Sequence, residues 1–152
     1  SEGLVGKDDF TCIEPKDPGS FTVTDEAGNV TEGGFGIMIN KKIYEERHPL
    51  SSWHYSYMPQ NLNHTKIGNH SVYEGKVLFI CDSYGYTCVP FLSRGLSEIT
   101  TVVLRSWDGD LKQLIEENDF DAVVVCYAEL MIGAHDDPGS SNYKMFSFMD
   151  DQ

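Results

Sequence analysis

The sequence predicts an α/β fold, a parallel β-sheet covered by helices, on three observations. Residues 76–152 contain three apolar runs, and the segments between them have the apolar spacing of helices. The runs are apolar throughout instead of alternating, which is typical of strands that are covered on both faces. Strands that alternate with helices run parallel, because each helical crossover returns the chain to the same end of the sheet.

Each element of this second half has its own signal. The apolar runs are Lys76–Cys81, Thr100–Arg105 and Asp121–Tyr127. A helix is predicted over residues 87–96, because Pro90 suits a first helical turn and one face carries Val89, Leu92 and Leu96. A second helix is predicted to begin at Asp108 or Asp110, and its apolar stripe consists of Leu111, Leu114 and Ile115.

Residues 1–75 are turn-rich and are predicted to form a β-rich extension of a single domain that spans residues 1–152. Phe21–Thr24 alternates like a half-buried strand, and Gly28-Asn29 suits a hairpin turn onto Val30-Thr31. Residues 35–43 are predicted to be extended, and residues 47–70 to be a long loop.

The composition limits the partners. The 152 residues hold 24 acidic and 11 basic side chains, a net charge of −13 and a pI near 4.5. This balance argues against nucleic-acid binding and against docking on an anionic membrane, since both need clustered cations. No apolar run approaches the ~20 residues of a membrane span. The cysteine spacing has no metal or redox pattern, so we expect no metal and no cofactor, with Cys81 and Cys126 in the core.

The carboxyl ends of the predicted parallel strands are the expected ligand site. Three segments leave the sheet there: Asp82–Gly85, Arg105–Asp108 and Tyr127–Glu129. Ser83 stands at a strand-to-helix turn, where backbone N–H groups would stabilise an oxyanion after Ser83 attacks an acyl carbon. The alternative is that Ser83 or Asp82 only caps the helix.

An ordered series of motifs in this region resembles a known family. Lys76-Val-Leu-Phe-Ile-Cys-Asp-Ser-Tyr-Gly85, Val89-Pro-Phe-Leu92, Ser97-Glu-Ile99 and Val102-Val-Leu-Arg105 resemble the C-terminal part of DHHW-type proteins. These are SGNH-hydrolase-like proteins related to the alginate O-acetylation enzymes, and the resemblance runs from about Asp8 to Tyr127. It implies a flavodoxin-like SGNH fold, an exported or cell-surface bacterial setting, acyl-ester chemistry on carbohydrate, and Ser83 as the nucleophile.

Two departures from that family bear on activity. Cys81 stands where SGNH enzymes place a glycine, and the upstream Asp-His motif that supplies the base is absent. We therefore expect the chain to be the C-terminal part of a longer protein, incomplete or weakly active alone. His64 and His70 are the candidate substitutes for the base. His54 and His135 are predicted to be solvated surface residues.

Further polar and aromatic side chains follow the predicted strands. The predicted substrate-binding residues are Tyr84, Gly85, Arg105 and Tyr127. Arg105 would bind an anionic group or pair with a nearby acid. An aromatic group near the same strand ends would stack on sugar rings or pack over the strands: Trp53, Tyr55, Tyr57, Tyr84, Tyr86 and Trp107.

Two functions from other classes compete with the esterase. One is a non-catalytic carbohydrate-binding or scaffold module that uses the same crevice. The other is a signalling domain in which Asp82 is phosphorylated or the Ser83 turn holds a flavin phosphate. The signalling domain ranks last, because a receiver needs a phosphoacceptor after its third strand and Tyr127-Ala-Glu129 has no Asp.

Overall fold

The structure, a computed structural model, describes residues 11–46, 56–57, 63–132, 137–140 and 142–149. Its strands are β1 (Phe21–Thr24), β2 (Val30–Gly33), β3 (His64–Asn69), β4 (Lys76–Cys81), β5 (Glu98–Val102) and β6 (Ala122–Cys126). Its α-helices are α1 (Lys41–Glu46), α2 (Ser83–Tyr86), α3 (Val89–Leu92) and α4 (Leu111–Glu116). Short 3₁₀ turns cover Phe35–Met38, Glu129–Met131 and Ser147–Met149.

The strands of the described residues form one mixed sheet with the order β2-β1-β3-β5-β4-β6. β4 pairs parallel with β5 on one side and with β6 on the other, as the apolar runs predict. β1, β2 and β3 join the same sheet by antiparallel pairing. The α/β class is confirmed, but the expectation of a parallel sheet is wrong for half of the strands. Residues 21–69 supply half of the sheet instead of an extension beside it.

The predicted β1–β2 hairpin is confirmed. Thr24 pairs with Val30, and the Asp25 N–H donates to the Asn29 carbonyl at 3.0 Å. Gly28 takes a φ of +83°, a left-handed conformation that glycine adopts without steric cost. The Asp25 side chain accepts from the Asn29 N–H at 2.9 Å, so the turn residues themselves fix the register of the two strands.

Two predictions for the first half are wrong. β3 lies inside the predicted loop: Thr65, Ile67 and Asn69 point to the buried face, but only Ile67 is a large apolar residue. Because two of the three inward-facing side chains are polar, the sequence of β3 shows no apolar alternation. The strand is stabilised by its pairing with β1 and β5. Residues 35–43 are not extended, since they form a 3₁₀ turn and the start of α1.

Helices cover both faces of the central parallel strand β4. Tyr86 of α2 and Val89 of α3 pack in one core cluster with Phe79, which points to one face of β4. Leu111 and Leu114 of α4 pack in the second cluster, against Leu78 and Ile80 on the other face. Successive strand residues point to opposite faces, so the two crossovers lie on opposite sides of the sheet.

The helices themselves differ in part from the prediction. The helix expected over residues 87–96 is shorter in the structure, where α3 spans Val89–Leu92 and has Pro90 in its first turn as predicted. The separate helix α2, Ser83–Tyr86, precedes the predicted range. Leu92 is exposed instead of buried. α4 begins after the predicted cap Asp110, whose side chain accepts from the Gln113 N–H at 3.0 Å. No described helix has the length and apolar composition that crossing a bilayer requires.

The close approach of α2 to the sheet depends on Gly85. A Cβ there would lie 2.7 Å from the Cys126 carbonyl oxygen and 3.0 Å from the Cys81 Cβ. We expect Gly85→Ala to lower the free energy of unfolding by about 2 kcal/mol. The atoms that the new Cβ would meet belong to paired strands, and they cannot move aside as the end of a flexible side chain would. Urea unfolding followed by circular dichroism measures this change.

Gly68→Ala is the matched control, since a Cβ at Gly68 in β3 meets no atom within 4 Å. We expect its free energy of unfolding to change by less than about 1 kcal/mol. Equal effects of the two substitutions would show that α2 does not need the close approach.

Candidate functional site

The carboxyl ends of β4, β5 and β6 lie at one edge of the sheet, because the three strands are parallel. The segments that leave this edge begin at Asp82, Val103 and Tyr127. The sequence prediction that Ser83, Arg105 and Tyr127 stand at the same edge is therefore confirmed by the topology. We call this edge the carboxyl edge.

Asp82 joins two of these segments. Its carboxylate is fully buried. Oδ1 accepts from the Tyr84 and Gly85 N–H groups at 2.9 and 2.8 Å, and Oδ2 accepts from the Ala128 N–H at 2.7 Å. Three backbone donors thus compensate the cost of burying the charge. Asp82 caps α2 and ties it to the segment after β6, so its geometry is that of a positioning residue.

Ser83 is the first residue of α2, directly beyond this carboxylate, and is half-buried. Its backbone N–H has no acceptor among the described residues, whereas the N–H groups of Tyr84 and Gly85 are engaged by Asp82. The expected use of neighbouring N–H groups for an oxyanion therefore needs correction. At this turn, the Ser83 N–H is the donor that remains open.

The two residues after Ser83 face different surroundings. Tyr84 is 55% exposed, so its ring is accessible at the carboxyl edge. Gly85 is buried against Cys126 and Cys81, away from solvent. Gly85 was predicted to bind substrate, but the structure gives it a packing role, because the space beside its Cα is filled by the sheet.

His64 lies at the carboxyl edge but not against Ser83. It is the first residue of β3 and pairs with Val102, at the end of β5. Two strand spacings separate β3 from β4, or roughly 10 Å. The His64 ring lies 5.9 Å from the Trp107 ring, and its Nε2 atom is buried without a partner among the described residues. Burial lowers the pKa of His64, and Lys66 adds to this effect while Glu26 opposes it.

His70 lies at the opposite edge. It follows the end of β3, and its N–H donates to the Ser20 carbonyl at 2.9 Å, near the amino ends of the parallel strands. Its Nε2 atom bonds the Thr22 hydroxyl. The length of β4, roughly 17 Å, separates this edge from Ser83. The structure therefore does not bring His70 to Ser83, because β3 runs antiparallel to β5.

The hydroxyl of Tyr127 is also engaged. It donates to the Met145 carbonyl at 2.6 Å, and the Phe146 ring packs edge-on against it at 5.4 Å. Burial raises the pKa of this hydroxyl. Tyr127 was predicted to bind substrate, whereas its hydroxyl holds residues 142–149 against the sheet. Arg105 is half-buried in the turn after β5.

The predicted aromatic group divides in the structure. Tyr86 is fully buried, donates to the Thr65 hydroxyl at 2.8 Å, and has its pKa raised to about 12 by burial. Tyr57 packs on Phe91 at 5.0 Å. Trp53 and Tyr55, like the candidate histidines His54 and His135, lie outside the described residues. Packing therefore accounts for Tyr57 and Tyr86, while Tyr84 and Trp107 stay accessible.

Sequence reasoning missed a cavity on the α4 side of the sheet. It has a volume of about 760 Å³ and is lined by Trp107, α4 and the C-terminal residues 144–148. The Trp107 ring lies so close to Gly109 that a Cβ there would be 2.1 Å from it. Two segments that are distant in sequence form this cavity, residues 104–116 and residues 144–148, so no local pattern signalled it beyond the neighbouring Trp107, Gly109 and Asp110.

Two other features of the site concern metals and thiols. Within the described ranges, no cluster of three or more His, Cys, Asp or Glu residues is arranged to hold a metal ion. All four cysteines are free, and Cys81 is buried as predicted, while Cys126 is half-buried. Burial raises the pKa of both thiols, which makes them poor nucleophiles.

These features define an α/β domain with a serine presented at the carboxyl edge of a mixed sheet. No family model and no curated protein matches the sequence. Among solved structures, Bacillus cereus PatB1, also determined with a sulfonyl adduct, is 22% identical with a TM-score of 0.54. A DHHW family protein from Eubacterium siraeum DSM 15702 is 19% identical, also with a TM-score of 0.54.

The similarity covers most of this chain but a minor part of each neighbour. It spans 72% of this chain and 35% of PatB1, and 74% of this chain and 36% of the Eubacterium protein. The resemblance to DHHW-type proteins that the sequence indicated is therefore confirmed at the level of the fold. The chain corresponds to about a third of the length of these proteins.

Asp82→Ala tests the role of the buried carboxylate. It leaves three N–H groups without their acceptor, and we expect the free energy of unfolding to fall by about 3 kcal/mol or more. Asp82→Asn should lower the free energy of unfolding less, since the single amide oxygen can still accept hydrogen bonds from one of the two segments. Urea unfolding measures both.

The control is Asp110→Ala, which removes a single bond from an exposed helix cap. Its expected cost is about 1 kcal/mol. Similar losses for Asp82→Ala and Asp110→Ala would contradict a joining role for Asp82.

His64 predicts an acid dependence of stability. Its pKa is lowered in the folded state from 6.5, so the unfolded chain binds the proton more tightly. His64 therefore stabilises the fold fully above that value, and its contribution is lost as the pH falls through the folded-state pKa. Thermal unfolding at about pH 7.5 and about pH 5.5 should show a smaller acid-induced loss in His64→Gln than in the parent.

Proposed function

We propose that this chain supplies the nucleophile-bearing part of an SGNH-type acyl-transfer site, acting on acyl esters of carbohydrate. The observation that carries the proposal is the placement of Ser83. It begins a helix at the carboxyl edge, has an open backbone N–H, and is held by a buried carboxylate that engages the two segments flanking the site. The fold shared with PatB1 and with a DHHW family protein supports it.

The proposed chemistry has two steps. Ser83 Oγ attacks the acyl carbon, its proton passes to a base and then to the leaving sugar oxygen, and an acyl-serine ester forms. A water molecule or an acceptor hydroxyl then attacks that ester, loses its proton, and regenerates the serine hydroxyl. The Ser83 N–H donates to the oxyanion in both steps, a type of stabilisation that is often the largest single contribution to such catalysis.

No described histidine lies against the Ser83 hydroxyl, where it could act as the base. His64 is at the right edge but two strands away, and no hydrogen bond joins the Ser83 hydroxyl to another described residue. A serine hydroxyl without a base is a weak nucleophile. We propose that activity alone is weak and that a longer protein completes the site. The resemblance supports an extracytoplasmic or cell-surface setting for it.

Covalent labelling tests the nucleophile. A sulfonyl fluoride reacts with an activated serine by forming an O–S bond and releasing fluoride, and one PatB1 structure carries a sulfonyl adduct. We expect phenylmethanesulfonyl fluoride to label Ser83 slowly, because no described base activates its hydroxyl, and peptide mass spectrometry locates the label. We expect the weak hydrolysis of p-nitrophenyl acetate to fall to the buffer rate in Ser83→Ala. Ser106→Ala removes another hydroxyl beyond the carboxyl edge, after β5, and should leave both unchanged.

The histidine variants resolve the base. Loss of hydrolysis in His64→Gln would make His64 a long-range or rearranged base, whereas a rate unchanged from the parent supports a base from elsewhere. Absence of labelling together with equal rates in Ser83→Ala and the parent would overturn the proposal.

The cavity beside Trp107 favours a second candidate, a non-catalytic carbohydrate-binding module. The indole is half-buried at the cavity wall, and carboxylates and lysines lie around it: Asp108, Asp110, Lys112, Glu116 and Lys144. An aromatic face with surrounding polar groups suits a sugar ring. Saturable tryptophan fluorescence quenching by an acetylated oligosaccharide, lost in Trp107→Ala without any Ser83 labelling, would favour this function. The signalling domain is disfavoured, since the Asp82 carboxylate is fully buried and both of its oxygens accept backbone hydrogen bonds.

A further inference from the structure

The strand β6 is an apolar edge that no other described strand covers. It pairs with β4 on one side only. Val123, Val124 and Val125 are 45%, 40% and 44% exposed. Because successive side chains point to opposite faces, both faces of the strand are open as well as its outer edge. The expectation that all three apolar runs are covered on both faces is therefore wrong for β6.

The other edge of the same sheet is built differently. β2 is exposed too, but it presents Thr31 and Glu32 between Val30 and Gly33. A charged side chain on an edge strand is a common protection against pairing with another chain. β6 contains no charged or hydroxyl side chain, so its outer N–H and C=O groups and its valines are unprotected.

The surroundings of β6 are strongly acidic. Residues 113–143 contain seven Asp and Glu residues and no Lys or Arg. Asp121 precedes the strand and Glu129 follows it, and both are exposed. A second copy of this chain would place acid against acid if the two β6 strands paired. Charge complementarity instead favours a strand with basic flanks.

We propose that β6 is a docking edge for an extended segment of another polypeptide, rich in β-branched residues and flanked by Lys or Arg. The segment would add a strand to the sheet through backbone hydrogen bonds, its side chains would cover the three valines, and its basic ends would meet Asp121 and Glu129. This inference does not depend on the proposed acyl-transfer function.

A synthetic peptide tests this edge directly. A fluorescently labelled peptide of alternating valine and threonine with lysines at both ends is titrated with the protein, and its anisotropy is followed. We expect saturable binding that weakens with added salt, since exposed charges are screened. The same peptide with glutamates at its ends should bind at least about tenfold more weakly.

Protein variants locate the site. Val124→Lys places a charge in the middle of β6 and should weaken binding at least about tenfold. Val30→Lys makes the same change at the other edge and should have no effect. If Val124→Lys fails to fold, judged by circular dichroism, a peptide N-methylated at alternate residues serves instead. It cannot donate hydrogen bonds to the edge and should not bind.

The contrary outcomes are distinct. Equal binding of the lysine and glutamate peptides would refute the basic flanks, and unchanged binding of Val124→Lys or of the N-methylated peptide would refute strand addition at β6. A concentration-dependent dimer that Val124→Lys abolishes, seen by light scattering, would assign the edge to a second copy and overturn the proposal.

Discussion

The buried Asp82 carboxylate is the interaction on which the site depends. It accepts three backbone hydrogen bonds from two segments that are more than 40 residues apart in sequence, one after β4 and one after β6. A buried charge is tolerated only when it is compensated in this way. The position of Ser83 is therefore fixed by the pairing of β4 with β6 and by the backbone around the carboxylate, and not by contacts of its own side chain.

The same carboxylate limits what the turn can do. Each N–H group that it engages is one that cannot stabilise an oxyanion, and it engages those of Tyr84 and Gly85. The turn therefore combines a rigid serine with a single open donor. Among the described residues, this turn offers one backbone donor beside Ser83 instead of the two or three that the sequence suggested.

The two edges of the sheet differ in polarity. Its β2 edge ends in a polar hairpin, whereas its β6 edge is apolar and surrounded by carboxylates. Hydrophobic strands normally lie inside a sheet, where they lose water-exposed area on both faces. The segment after this open strand is tied to Asp82 through the Ala128 N–H, so the apolar edge of the described sheet adjoins the candidate site.

Elements whose residues carry a strong local signal were predictable from the sequence. Continuous apolar runs predicted three parallel strands, Gly28 and Asn29 predicted the hairpin, and Asp110 predicted the start of α4. The serine at a strand-to-helix turn followed from local order alone. Such signals are short-range: side-chain alternation, turn conformation and capping act within a few residues.

Features that depend on pairing between distant segments were not predictable from the sequence. β3 has a weak apolar pattern and forms because β1 and β5 flank it, and its antiparallel direction sends His70 to the far edge while His64 stays at the near one. The acceptor of the Tyr127 hydroxyl, the packing role of Gly85 and the exposure of β6 follow from contacts with remote backbone. A sequence pattern shows that a strand is apolar, but burial is a property of its neighbours, and these are fixed only when the sheet is assembled.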